Sequence, residues 1–304
     1  MTNFKKQNKI AAVFCFLFLG LVFLPSVAKA SRIYFSPVVK EIYKDDVFIL
    51  EVRISSSDQL INATEGVLLF NKNKLEVKEL SAGGSLFDVW LQKPAFSNQD
   101  GKINFTAGTP DGFQGENALV LKIIFLAKNT GEAKLDFQDA TSFFLHDGKG
   151  TPINPWLKSL TLNILERTIE AGAKDEWQLL IEKDKTLPEP FKIVLGQEPS
   201  VFDNQYFISF FTTDKESGIA YYEVKEGKKD SIKAESPYLL KDQSLQSLIK
   251  VKAVDKAGNE RIVEYMPPQK PIPWRIIIGI IIGLAIIILI VRKFLISNKM
   301  PSNN

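Results

Sequence analysis

Val47-Phe48-Ile49-Leu50-Glu51-Val52-Arg53-Ile54 is the stretch on which the fold turns. Phe48, Leu50, Val52 and Ile54 recur at every second residue with Glu51 and Arg53 between them. A period of two places the four apolar side chains on one face of a β-strand. Working outward, short runs at 33–35, 66–70, 75–80, 103–106, 118–127, 133–137 and 160–164 also read as strands. Turn-forming residues separate them: Asn71-Lys72-Asn73, Gly83-Gly84, Asp100-Gly101, Pro110-Asp111-Gly112, Asn129-Thr130-Gly131 and Asp147-Gly148-Lys149-Gly150. About nine strands in some 130 residues imply a β-sandwich over residues 31–165.

Further along, runs at 191–195, 206–212, 219–225, 248–254 and 261–265 indicate a second sandwich over 187–266. Asp255-Lys256-Ala257-Gly258-Asn259 reads as a hairpin in which Gly258 takes positive φ. The charged stretch 166–186 is open between a short helix over 170–183 and a linker that runs into a strand at 177–182. Pro267-Pro268-Gln269-Lys270-Pro271-Ile272-Pro273 favours polyproline II, which at about 3.1 Å per residue makes a semi-rigid stalk of roughly 20 Å.

The chain of 304 residues is 45% hydrophobic and 24% charged, which excludes collagen-like, low-complexity and wholly disordered architectures. Its basic character belongs to the ends. Lys5, Lys6, Lys9 and Lys29 face no acid within residues 1–30, and Arg275, Arg292, Lys293 and Lys299 face none within 275–304. Removing these eight from the 38 basic residues leaves 30 against 35 acids, a net charge of −5 for the middle of the chain. A nucleic-acid partner needs its basic footprint on the folded domain, so none is expected.

Residues 1–9 form a basic head and 10–24 an apolar run, and Ala28-Lys29-Ala30 follows Pro25, the pattern of a secretory signal cleaved before Ser31. Cys15, the single cysteine, lies inside it behind Phe14, so no lipid anchor is expected. Cleavage leaves no cysteine, which removes disulfides, thiolate catalysis, Cys-zinc sites and iron–sulfur clusters. Residues 276–291 are sixteen residues without a charge, between Trp274-Arg275 and Arg292-Lys293. At about 1.5 Å per residue that core covers roughly 24 Å, and 274–296 covers about 35 Å against a hydrocarbon layer of ~30 Å. One transmembrane helix over 274–296 is expected, with its surface against membrane lipid. Arg275 on one side against Arg292, Lys293 and Lys299 on the other orients it with the domains outside and the tail 297–304 in the cytoplasm. Gly279 and Gly283 have the GxxxG spacing that packs helices into homodimers, although glycine is common in such helices anyway.

Several pieces of the first domain follow one another in a telling order. Phe35-Ser36-Pro37 precedes the turn Lys44-Asp45-Asp46, and Ile61-Asn62-Ala63-Thr64-Glu65-Gly66-Val67-Leu68-Leu69-Phe70 is followed by Lys74-Leu75-Glu76-Val77. Gly84-Ser85-Leu86-Phe87, Pro94-Ala95-Phe96-Ser97-Asn98 and Ile103-Asn104-Phe105-Thr106-Ala107-Gly108 come next, then Leu121-Lys122-Ile123-Ile124-Phe125-Leu126-Ala127-Lys128 before Gly131. This order resembles the cohesin family across nearly all of residues 33–165. The resemblance implies a nine-strand jelly-roll sandwich related to carbohydrate-binding modules and a non-catalytic role in recognition. It implies as partner a calcium-loaded dockerin domain, within polysaccharide-degrading assemblies on cell surfaces. It also implies that Glu65 stands where the family has an acid that takes part in partner binding. The family's neighbouring asparagine would fall on Ala63, whereas this chain has Asn62, and an offset of one residue reverses the face of a strand. Apart from the resemblance, Glu65 reads as a solvated strand residue. In the second domain, Thr213-Asp214-Lys215-Glu216-Ser217-Gly218-Ile219 leading into Tyr221-Tyr222-Glu223-Val224, and Ala253-Val254-Asp255-Lys256-Ala257-Gly258-Asn259, resemble bacterial immunoglobulin-like repeats. Such repeats serve as spacers or adhesive modules.

Catalytic signatures are sparse. His146 is the single histidine and follows a hydrophobic strand, a loop position. The sequence has no phosphate loop, GxSxG elbow or HExxH. Asp45-Asp46, Asp111, Asp136, Asp139 and Asp147 lie mainly at turns, where solvated aspartates are expected. Asp214, Asp255 and Asp147 lack the alternating spacing of an EF-hand loop, so neither an obligatory metal nor another cofactor is expected. Trp90, Phe96 and Phe113 read either as an apolar platform for a sugar or partner, or as core. The whole reads as an all-β, non-enzymatic surface protein that binds a dockerin-like module or polysaccharide, with a structural subunit of an envelope assembly as the alternative.

Overall fold

The computed structural model describes residues 31–37, 41–167, 172–268 and 274–297, with side chains in the last segment described over 278–293. The expected signal segment, most of the proline run and the tail from 298 lie outside the described residues. Two compact units divide the chain. The first draws on Met1–Phe191, Phe211–Tyr222 and Ala253–Arg261, the second on Lys192–Phe210, Glu223–Lys252 and Ile262–Asn304.

In the first unit the strands are β1 (Arg32–Ser36), β2 (Ile42–Tyr43), β3 (Val47–Phe70), β4 (Leu75–Ser81), β5 (Val89–Ser97) and β6 (Lys102–Ala127), then β7 (Gly131–Phe137), β8 (Ser142–Leu145), β9 (Pro152–Ile153), β10 (Trp156–Leu157) and β11 (Leu160–Leu165). One path of pairing runs β10-β1-β3-β7-β11-β2, while β6 joins β3 to β4 and β5, and β8 joins β3 to β9. The expected strands at 47–54 and 66–70 are the two ends of one strand of 24 residues, and those at 103–106 and 118–127 belong to one of 26. Bulges explain how such long strands stay paired. Ala63 faces Gly108 and Ile61 faces Phe113, so the expected turn Pro110-Asp111-Gly112 is a bulge in a continuing strand. A compensating irregularity on β3 lies between Ser56, which faces Gly115, and Ile61.

The alternation holds as expected: Phe48, Leu50, Val52 and Ile54 are each buried. Phe35 stacks on Phe137 at 4.7 Å, and Phe125 meets Phe48 and Phe70 at 5.8 and 5.4 Å. Each fully buried side chain of this size contributes about 1.5–3 kcal/mol. Gly66 is required by the same core, because a Cβ there would lie 2.1 Å from the Phe105 ring. The sequence reading lacks β5, whose Gln92-Lys93-Pro94 interrupts any alternation. Proline is tolerated here because β5 pairs only with β6, at a sheet edge.

Of the two alternatives for 166–186, the described residues hold a helix, α1 (Glu176–Lys183). Asp175 caps it, its Oδ1 accepting from Gln178 N at 2.8 Å, and Lys183 sits in its last turn. The indole N–H of buried Trp177 donates to Glu79 Oε2 at 2.9 Å, and Ile49 N–H donates to Glu176 Oε2 at 3.2 Å, which fastens the helix to β4 and β3. Asp46 departs from the expectation for turn aspartates. It is buried and ion-paired with Arg167, and it accepts from Tyr43 N at 3.0 Å and Lys174 N at 2.8 Å.

The remaining strands are β12 (Val194–Glu198), β13 (Val201–Ser209), β14 (Ile219–Glu226), β15 (Ile232–Ala234), β16 (Tyr238–Leu239), β17 (Ile249–Asp255) and β18 (Glu260–Tyr265). They form a three-stranded sheet, β12-β13-β16, and a four-stranded one, β15-β14-β17-β18. The strand expected at 206–212 stops at Ser209. Thr212 is held instead by side chains, its N–H donating to Tyr222 Oη at 3.0 Å and its Oγ1 donating to Glu189 O at 2.6 Å. Gly258 has φ +87° in the expected hairpin. Within the second unit, buried Glu226 accepts from Tyr238 Oη, Lys241 N and Asp242 N at 2.8–3.0 Å. Burial and the Glu226 carboxylate push the Tyr238 phenol up to about 12.

A helix, α2 (Trp274–Ser297), stands where the sequence places one. Among the described residues, however, no helix is long and apolar enough to cross a membrane. Gly279 and Gly283 have no atom within 4 Å of an added Cβ.

Candidate functional site

β8, the second half of β3, the first half of β6, and β5 lie side by side. Residues directly opposite in antiparallel strands point to the same face, so the register fixes what this sheet shows to solvent. Ser142 faces Glu65, Glu65 faces Thr106, and Thr106 faces Gln92, a polar row across all four strands. On one side of it run Phe144, Ala63, Gly108 and Val89, and on the other Val67, Asn104 and Ala95. Apart from the half-buried Phe144, the side chains of this face are small or medium in size, with the exposed Glu65 near the centre.

The five expected partner-binding residues do not gather there. Trp90 lies opposite Ala107 and Phe96 opposite Ile103, both buried, so both rings start on the core side of β5. Trp90 meets Phe105 edge-on at 6.5 Å, and Phe113 packs against the same core. Phe96 remains 42% exposed because no strand lies beyond β5. Asn62 is half-buried in the irregular step between Ile61 and Ala63. Of the five, Glu65 alone occupies the polar row. The sugar platform is therefore not assembled, and core packing takes two of its three rings.

His146 is exposed in the turn after β8, its N–H donating to Leu60 O at 3.0 Å. Asp147 in the same turn accepts from Lys149 N at 2.9 Å and from Thr151 Oγ1, and these bonds lower its carboxyl to about 2. It closes a turn, as the sequence suggests.

A second cluster escapes the sequence reading. Asp184, Asp214 and Asp255 are buried, and each offers a carboxylate oxygen within 4.8 Å of the others. Asp184 follows α1, Asp214 opens the turn 213–218 and Asp255 opens the hairpin 255–259, all in the first unit. Asp214 Oδ1 accepts from the N–H groups of Glu216, Ser217 and Gly218 at 2.9–3.1 Å. Asp184 accepts from Thr186 N at 2.9 Å and Ser217 N at 3.2 Å, and Asp255 accepts from Asn259 N and Nδ2 at 2.8 Å. Burial raises the Asp214 carboxyl, helped by the charges of Asp184 and Asp255, against the bonds from Gly218 and Ser217. For Asp184 burial also acts upward, but the bonds from Ser217 and Thr186 together hold it below the ordinary value. Three converging carboxylates are a donor set that a hard divalent cation accepts. Here the same oxygens also organise two turns. The only sequence signal was the two Asp-Lys turns ending in Gly218 and Gly258; Asp184 carried none.

No family model and no curated protein matches the chain. Solved structures similar to it are cohesin modules. One comes from a family 33 glycoside hydrolase of Clostridium perfringens, with 16% identity, 45% of this chain and 98% of that chain covered, and a TM-score of 0.38. Another is from a type I cohesin–dockerin complex of Clostridium thermocellum, with 13% identity, coverage of 45% and 95%, and a TM-score of 0.38. A third is a non-cellulosomal cohesin of the archaeon Archaeoglobus fulgidus, with 18% identity, coverage of 45% and 91%, and a TM-score of 0.38. These likenesses are remote.

Proposed function

We propose that the chain is a membrane-anchored surface protein whose first sandwich is a non-catalytic recognition module for a dockerin-like protein. The observation that carries this reading is the four-strand face with the exposed Glu65 in its polar row. The order of sequence pieces that resembles the cohesin family supports it independently. A protein partner is favoured over a polysaccharide because Trp90 and Phe113 are spent on the core. On such a face, a few desolvated central residues set affinity and rim charges set selectivity.

In the same reading, 187–266 is an immunoglobulin-like spacer, 267–273 a stalk and 274–296 the anchor, with 297–304 cytoplasmic. Support for the anchor comes from the uncharged run 276–291 and from α2, whose described isoleucines between 278 and 290 are exposed; Ile280 and Ile288 are 59% and 64% exposed. A helix apolar on every side is suited to lipid.

The test is calorimetry of the full chain in detergent micelles against purified, calcium-loaded dockerin modules. Saturable binding is expected, and Glu65→Lys should weaken it by about tenfold or more, equal to about 1.4 kcal/mol. Absence of binding to any module, or binding indifferent to Glu65→Lys, overturns the reading. The anchor is checked separately: the chain should stay with membranes after alkaline carbonate washing and be released once residues 274–304 are removed.

A further inference from the structure

Lys122 is a buried lysine in the second half of β6, on the face away from the core. Removing an ammonium from water costs several kcal/mol unless its protons find acceptors. Here the acceptors are main-chain carbonyls from a remote part of the chain. Nζ donates to Lys215 O at 2.8 Å and to Glu216 O at 2.6 Å. Both carbonyls belong to the turn wound around Asp214.

That turn touches the sandwich backbone to backbone. A Cβ on Gly83 would lie 2.8 Å from Asp214 O and 3.0 Å from Gly218 Cα, and one on Gly218 would lie 2.9 Å from Ser81 Oγ. Lys256 N–H donates to Gly218 O at 3.1 Å, while the Lys256 ammonium pairs with Glu79 and sits 5.0 Å from the centre of the Trp177 ring. β4 and α1 thus meet the turn 255–259 at the Lys256 ammonium, and β6 meets the turn 213–218 at the Lys122 ammonium.

We propose that Lys122 is a latch that fastens the turn 213–218 to the outer face of the first sandwich, so that this turn opens only when the Lys122 bonds to Lys215 O and Glu216 O break. The latch is independent of the partner reading, because none of its residues lies in the Glu65 row. Burial lowers the Lys122 pKa, and Glu51, Glu216 and Asp214 act upward to keep the amine charged, with Lys256 opposing them. The acids therefore surround the point where the latch holds.

Hydrogen–deuterium exchange on the full chain in micelles tests the latch. In Lys122→Met, the amides of Glu216, Ser217 and Gly218 should exchange about tenfold or more faster while those of residues 48–54 keep their protection. Unchanged exchange at 216–218 overturns the latch. Should Lys122→Met lose protection throughout, Gly83→Ala decides. It presses on the same turn from β4's end and should accelerate 216–218 alone; protection there equal to wild type overturns the proposal.

Discussion

β3 and β6 each run through two environments, and the contrast between their halves is instructive. From Lys102 to Ala107, β6 buries Ile103, Phe105 and Ala107 and leaves Lys102, Asn104 and Thr106 at least partly exposed. From Leu119 to Phe125 every residue of the same strand is buried, Lys122 included. The first half has solvent on one face; over the outer face of the second lie α1 and the turn 213–218. An alternating strand offers a surface, whereas a continuous apolar run announces that something else covers it.

The largest test of this contrast is Trp177→Ala, which uncovers the second half. A loss of about 3–5 kcal/mol is expected in urea denaturation of the full chain. Should it cost no more than a substitution in the Glu65 row, α1 is not a cover and the contrast fails.

The covered half also has a pH signature. Burial holds Lys122 below its ordinary value of 10.5, so between the lowered value and 10.5 the unfolded chain binds a proton that the folded chain lacks. Stability contributed at this position therefore rises with pH through that window, and the full penalty is present below it. Denaturation midpoints of wild type and Lys122→Met, compared at neutral and alkaline pH, should shift in favour of wild type as pH rises. The Tyr238 phenol, raised to about 12, destabilises both proteins alike above the ordinary tyrosine range and cancels in the difference.

Smaller again is the cap of the covering helix: Asp175→Ala should cost about 1 kcal/mol. The least effect belongs to the exposed half, where Glu65→Lys should change the denaturation midpoint by no more than about 0.5 kcal/mol while weakening partner binding. A large stability loss there would mean that the face is not free.

Much of this was readable in advance. Phe48 to Ile54 showed their face through a period of two, and Gly258 its positive φ through the turn around it. Glu65 was legible as an outward strand residue. Trp90 and Phe113 were ambiguous because a ring looks the same in sequence whether it faces core or solvent, and the register of β5 against β6 decided it. The edge strand was hidden by Pro94. The run 118–127 read simply as a strand, with Lys122 its only charge. Nothing in it indicated the cover.

The sequence by itself determined most strand positions, β5 apart, and which side chains of a strand share a face, because the latter follows from the geometry of residues two apart. It also placed an apolar helix at 274–296, close to the observed Trp274–Ser297. The tertiary structure alone decided which faces are covered and which polar groups meet. Lys122 and Glu216 are 94 residues apart, and Asp184, Asp214 and Asp255 come from three separate segments. No local period links such positions, so their meeting depends on how whole elements pack.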